Sequence, residues 1–259
     1  MVKWMRVLLL KGFKNLFRKK TIFFLIVVFI IGVISNFPAK IFVRHVLSES
    51  LTINGISGSI WNGSASEASY DKLFIRDMRW SIEPMSLFAG KLSYEISLYP
   101  FNGKIEASAS TNFSRAITFN NVKGMLSEGT LSELFPYFSI DGEINFAIKS
   151  LILKNNLPVM LNGDIKIINL RINGLSDQPI GNYLLKFDPT NDAIIGSIEG
   201  ANALIDVAGV IILNTDGAYE VSGVVAANQF TPEKITMLLG LLGTPNNLGQ
   251  RDFRFEGKL

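Results

Sequence analysis

The sequence predicts a mainly β protein: an N-terminal transmembrane helix, then an antiparallel, hairpin-rich curved sheet or sandwich with one or two short helices. Three observations predict it. Residues 21–37, TIFFLIVVFIIGVISNF, carry no charge. From Leu51 onward apolar and polar residues alternate. Asn-Gly and Asp-Gly pairs recur through the same region, and these residues tolerate the positive φ of two-residue hairpin loops.

The apolar run is about 25 Å long as a helix, slightly short of a ~30 Å hydrocarbon core. Lys19, Lys20, Lys40 and Arg44 flank it and extend its reach toward headgroups. Pro38 lacks an amide donor and is expected to end the helix. Basic residues crowd the N-terminal side (Lys3, Arg6, Lys11, Lys14, Arg18, Lys19 and Lys20), so the positive-inside rule places that side in the cytoplasm. A cleaved signal peptide is the rival, with Val33-Ile34-Ser35 a tolerable cleavage site. The long basic region and long apolar run favour retention. The expected organisation is therefore a basic cytoplasmic segment at 1–20, a transmembrane signal anchor at 21–37, and a periplasmic β-domain at 38–259. Within the first segment, Met5, Leu8, Leu9, Phe13 and Leu16 share one helical face opposite the basic residues. That layout suits an amphipathic helix at an anionic surface, or simply a solvated basic flank.

Charge is unevenly divided. Nine of the 25 basic residues precede Glu49, the first of the 22 acids, so the remainder is net negative. Such a body repels phosphates, and nucleic acid is excluded as its partner. There is no cysteine, which removes thiol chemistry and cysteine-based zinc sites.

The strands follow from period two. In Lys91–Leu98, Leu92, Tyr94, Ile96 and Leu98 fall on one side and Lys91, Ser93, Glu95 and Ser97 on the other. Ile144, Phe146 and Ile148 alternate likewise, as do Ile165 and Ile167, and Phe253 and Phe255. The alternation slips at Ile167-Ile168-Asn169-Leu170, which predicts a bulge. Asn54-Gly55, Asn62-Gly63, Asn102-Gly103, Asp141-Gly142, Asn162-Gly163, Asn173-Gly174 and Asp216-Gly217 are expected as turns between a dozen or so short strands. Thr130-Leu131-Ser132-Glu133 has the pattern of a capping box, cut short by Pro136. Thr231-Pro232-Glu233 begins a second helix, with Ile235, Leu238, Leu239 and Leu242 as its packing stripe and Gly243 closing it. A sandwich, a closed barrel and an open curved sheet all fit this pattern.

No catalytic constellation is present, and the chain is not expected to be an enzyme. His45, the only histidine, lies between Arg44 and Val46 just past the apolar run, with no serine or acid at a recognisable spacing. Asp71, Asp77, Glu83, Glu95, Asp164, Asp188, Asp192 and Asp206 are scattered and expected on solvent-facing strand positions. A hydrolase would need two of them to converge in one cleft. Asp188-Pro189-Thr190-Asn191-Asp192 lacks the ligand spacing of a calcium loop and is expected as a turn. No catalytic, cofactor or metal residue is assigned, and no cofactor is expected. Trp61 and Trp80 are expected to anchor a core.

Those tryptophans also carry a resemblance. Gly58-Ser59-Ile60-Trp61-Asn62-Gly63 forms a G-x-x-W-x-G element, followed by Trp80-Ser81-Ile82-Glu83-Pro84, Leu87 and Gly90-Lys91-Leu92. Gly181-Asn182-Tyr183 and Gly217-Ala218-Tyr219 recur at strand starts, and the chain ends Leu242-Gly243-Thr244-Pro245, Gly249 and Phe253 to Leu259. In order, these elements resemble the N component of bacterial type II secretion systems, the general secretory pathway protein N family. The resemblance implies an accessory inner-membrane subunit that helps export folded proteins across the outer membrane, with other secretion-system inner-membrane subunits as partners and membrane lipids contacted through the anchor. The long basic stretch departs from that family. The domain is also similar to AsmA-type periplasmic β-domains, which implies the alternative: a lipid-binding or lipid-transfer module. Its apolar β-groove, lined by Leu92, Tyr94, Ile96 and Ile144, would hold a lipid ligand.

Overall fold

The computed structural model describes residues 20–46, 51–70, 73–100, 103–111, 116–134, 140–176, 178–190 and 193–259. The basic stretch expected as an amphipathic helix lies outside them. Helix α1 occupies residues 20–35 of the described chain, and α2 (Ala39–Val46) follows Pro38 directly. Among the described residues no helix is long and apolar enough to cross a membrane. Helix α1 is nonetheless apolar all round, and Phe23, Phe24, Leu25, Phe29 and Ile31 on its different sides are all exposed.

The rest is one open antiparallel sheet with few short helices. Its strands are β1 (Leu51–Asn54), β2 (Ser57–Gly58), β3 (Asn62–Tyr70), β4 (Leu73–Ile82), β5 (Leu92–Pro100), β6 (Lys104–Thr111) and β7 (Ile117–Leu126). They continue with β8 (Ile140–Lys154), β9 (Leu157–Ile172), β10 (Gly181–Pro189), β11 (Ala193–Ala201), β12 (Ile205–Asn214), β13 (Ala218–Ala227) and β14 (Gln250–Lys258). β1 and β2 both lie along β3, and from β3 to β14 every strand pairs with the next. Neither the sandwich nor the closed barrel is found. The strands are also longer than expected, β8 and β9 reaching 15 and 16 residues.

Of the expected turns, two are strand interior and a third falls where a strand begins. Asn62-Gly63 opens β3, Asp141-Gly142 lies in β8 and Asn162-Gly163 in β9. The glycines are there for close approach: a Cβ on Gly163 would come 2.5 Å from the Ala147 carbonyl oxygen and 2.5 Å from Ile148 Cα. The tight β8–β9 turn uses Asn155-Asn156 instead, both at positive φ (52° and 64°), as a type I′ turn requires. The bulge expected near Asn169 is present: Asn169 has φ 52° and the β9–β10 register shifts beside it. Asp77 in β4 and Asn121 in β7 take the same left-handed conformation where their own ladders slip. Each extra residue restores the alternation, so one face stays apolar across the sheet.

That face reads continuously through the register. Leu98, Ile105, Gly124, Phe146, Ile165, Leu185, Ile198, Gly209, Gly223 and Phe253 stand side by side on ten successive strands. The opposite face carries Arg79, Ser97, Glu106, Lys123, Asp164, Lys186, Ser197 and Arg254 along a comparable row. Few side chains are fully buried, and the accessible surface is 17742 Å². A compact protein of this mass would expose about 11,000 Å². The excess fits an exposed α1 and a sheet without a second layer over most of its area. The last strand, β14, keeps Asp252, Arg254, Glu256 and Lys258 on its polar side, charges that discourage another strand from adding at that edge.

Two helices sit at the end of the sheet away from Trp61. α3 (Thr130–Leu134) packs on β8, and α4 (Glu233–Leu239) lies against β13. The expected caps differ. Asp141 Oδ1 accepts from the Gly129 and Gly142 amides (2.6 and 2.7 Å), while the buried Thr130 hydroxyl does not cap α3. Thr231 accepts from the Asn228 amide (2.7 Å) and donates to the Leu204 carbonyl, so it joins α4 to the start of β12 rather than capping it.

Candidate interaction surfaces

The first surface is the joint between α1 and the sheet. Helix ends leave carbonyls without intrahelical partners. Here the Trp61 indole N–H donates to the Ile34 carbonyl at 2.5 Å. The Ile60 amide donates to the Phe37 carbonyl at 3.0 Å, and Pro38 and Ser59 form a β-bridge. The Ser59 hydroxyl accepts from the Trp61 and Asn62 amides (both 3.2 Å), closing a tight turn. Trp80 Nε1 donates to the Ser59 carbonyl at 3.2 Å, and its ring covers Gly63. Both tryptophans are only half-buried. They are therefore joint residues, not the core anchors expected; alternation and composition carry no sign of partners 27 and 21 residues away. His45 falls in α2, beside this joint.

The second surface is the apolar face. Leu92, Tyr94, Ile96 and Ile144 do share it, through Tyr94–Ala109, Ile96–Ala107 and Ile144–Leu126 pairings, and all four are half-buried. Burial pushes the Tyr94 hydroxyl pKa above its ordinary value. Aromatic rings lie across glycines of the adjoining strand. Trp80 covers Gly63, Phe146 covers Gly124, Phe187 covers Gly196 and Tyr219 covers Gly257; a Cβ on any of these glycines would come within 2.4–2.7 Å of the ring. At the far end Ile235 and Leu239 of α4 pack on Tyr183, Ile180, Ile167 and Leu170. The Tyr183 hydroxyl donates to the Ile205 carbonyl at 3.2 Å. Leu238 and Leu242 of the expected stripe stay exposed, along with Phe230, Met237, Leu241 and Leu248.

The third surface is a cleft of about 970 Å³ on the polar face near the joint. Ser57, Ser64, Ser81 and Ser97 line it with Arg79, Glu95 and Glu106. Two acids thus share a cleft, on adjacent strands and diagonal to one another. Each has its own neighbour: Ser108 Oγ donates to Glu95 at 2.6 Å, and Lys104 Nζ pairs with Glu106 at 2.6 Å. Of the other scattered acids, Asp164 and Asp188 stand on the polar face, while Asp77 supplies a bulge. Asp71 and Asp192 lie outside the described residues. Among the described residues no cluster of three or more histidines and acids could hold a metal ion.

The sequence of the sheet matches the family described as Type II secretion system (T2SS), protein N, over residues 49–254. The chain belongs to the type II secretion system protein N family. It is similar to the Type II secretion system protein N of Aeromonas hydrophila, at 22% identity over 232 residues, 86% of this chain and 91% of that protein. No solved structure matches. In this chain the matched span runs from β1 into β14 and holds Trp61, Trp80, three of the four glycine–aromatic pairs and both end helices, while Ile34 and Phe37 of the joint and Gly257 lie outside it. The family is one of secretion-system components and is not known for catalysis.

Proposed function

We propose that this chain is an accessory inner-membrane subunit of a type II secretion system, with a structural and interaction role in exporting folded proteins across the outer membrane. Residues 21–37 cross the membrane once as an uncleaved signal anchor, the basic segment 1–20 stays in the cytoplasm, and residues 38–259 stand in the periplasm. The observation that carries this reading is the Trp61–Ile34 hydrogen bond: a helix apolar on every side is joined directly to the first edge of the sheet. Such a helix is not stable in water and suits lipid. The partners are other inner-membrane subunits of the apparatus. Protease added to spheroplasts should digest the sheet and spare the basic segment, the full chain should co-purify with those subunits, and its deletion should impair exoprotein release. A sheet shielded from protease in spheroplasts overturns the topology, and unimpaired release overturns the role.

A second reading rests on the width of the half-buried apolar face around Tyr94, Ile96 and Phe146. That face would shield acyl chains, each buried CH₂ contributing roughly 0.8 kcal/mol. Native mass spectrometry of the protein extracted with its lipids tests it; absence of any retained lipid rejects it.

A further inference from the structure

The turn Pro84–Ala89 carries Met85, Leu87 and Phe88 at 72%, 47% and 88% exposure. The backbone beneath them is well tied. The Ser86 hydroxyl donates to the Glu83 carbonyl (2.7 Å) and accepts from the Ser93 amide (3.3 Å), and the Lys91 amide donates to the Ser86 carbonyl (3.1 Å). Gly90 ends the turn at φ 67°, donating to the Leu87 carbonyl at 3.0 Å. The apolar side chains are thus held outward by a built turn. Its place in the fold indicates what covers them. Trp61 donates its indole N–H to Ile34 at the end of α1 and accepts the Ile82 amide on its own carbonyl at 2.6 Å. Two residues after Ile82 the turn begins.

We propose that Met85, Leu87 and Phe88 insert into the phospholipid leaflet from which α1 emerges, giving the sheet a second membrane contact beside the helix. The proposal rests on the reading that α1 belongs to a membrane-spanning segment. Exposed Glu83 and Lys91 stand one on each side of the turn, and residues 84–90 between them carry no charge. The other exposed apolar group, Phe230, Met237, Leu241 and Leu248, lies at the opposite strand ends, beside β13 and β14, a strand's length away or about 30 Å along the strands. A bilayer at the joint is out of its reach.

The chain has no cysteine, so a single introduced one is labelled uniquely. Full-length protein carrying Phe88→Cys, Leu241→Cys or Phe29→Cys is labelled with an environment-sensitive fluorophore and placed in vesicles of phosphatidylethanolamine and phosphatidylglycerol. The expected result is loss of emission at positions 88 and 29 with brominated lipid, and at position 241 with iodide only. Position 29 quenched by lipid while position 88 stays open to iodide overturns the insertion and leaves the spanning helix standing. Position 88 shielded from both quenchers means a protein covers the turn, which also overturns it. Position 29 open to iodide overturns the spanning helix itself and this inference with it.

Discussion

The ring of Phe146 lies on the bare Cα of Gly124, its register partner on the neighbouring strand. A Cβ at Gly124 would come 2.4 Å from Phe146 Cζ and 2.9 Å from the Lys104 carbonyl oxygen. Glycine in a strand normally weakens it, and a ring laid over it recovers contact area. Gly124→Ala should therefore destabilise the sheet by about 1–3 kcal/mol. Combining it with Phe146→Leu should recover only part of that, because the backbone oxygen remains. Urea midpoints of the single and double variants measure both effects.

Trp61→Phe keeps an aromatic ring but removes the donor to Ile34. The expected loss is about 1 kcal/mol, confined to the joint. Hydrogen exchange at the Ile60 amide, which donates to Phe37, should speed up while β8–β9 amides keep their protection. Equal acceleration across the sheet would contradict a local role.

Tyr183, 8% exposed, has its hydroxyl pKa raised from 10.0 to about 12, by burial first and by the Asp206 carboxylate second. An unfolded chain gives up this proton near pH 10, whereas the folded one keeps it until about pH 12. Between those values the unfolded state binds fewer protons, so stability falls as pH rises; below pH 10 the contribution is intact. The loss across the window is on the order of 2–3 kcal/mol. Tyr183→Phe should show a correspondingly shallower decline when denaturation midpoints are followed through this range.

Ile235→Ala should release α4, since Ile235 is the residue by which that helix is buried. The expected cost is about 2–5 kcal/mol. Exchange should accelerate over Glu233–Leu239 and leave β4–β6 unchanged.

Alternation alone located the faces of β5, β8, β9 and β14, because period two reports directly which side chains share a side. The bulge at Asn169 was legible for the same reason: a slip in the pattern is a slip in the face. Asn62-Gly63 and Asn162-Gly163 misled, since the same dipeptide serves a turn or a site of close approach, and only the strand opposite decides which. Gly63 and Trp80 are 17 residues apart and meet only once β3 and β4 are in register. The joint at Trp61 is hidden likewise, because the motif around Trp61 carries no sign of Ile34 and Phe37, its partners on the helix side. Nor does alternation say whether a sheet closes on itself.

The meander from β3 to β14 has a consequence for how the molecule comes into being. No ladder in it joins residues from distant parts of the chain; each strand needs only the one before it. Loop closure is short at most steps, the longest connection being residues 228–249, which carry α4 between β13 and β14, so the entropy cost that slows assembly of most large β proteins is reduced. A chain delivered N-terminus first can therefore lay down its sheet strand by strand from the Trp61 edge as it arrives. The charges of β14 blunt the free edge that such a growing template otherwise offers to any passing strand.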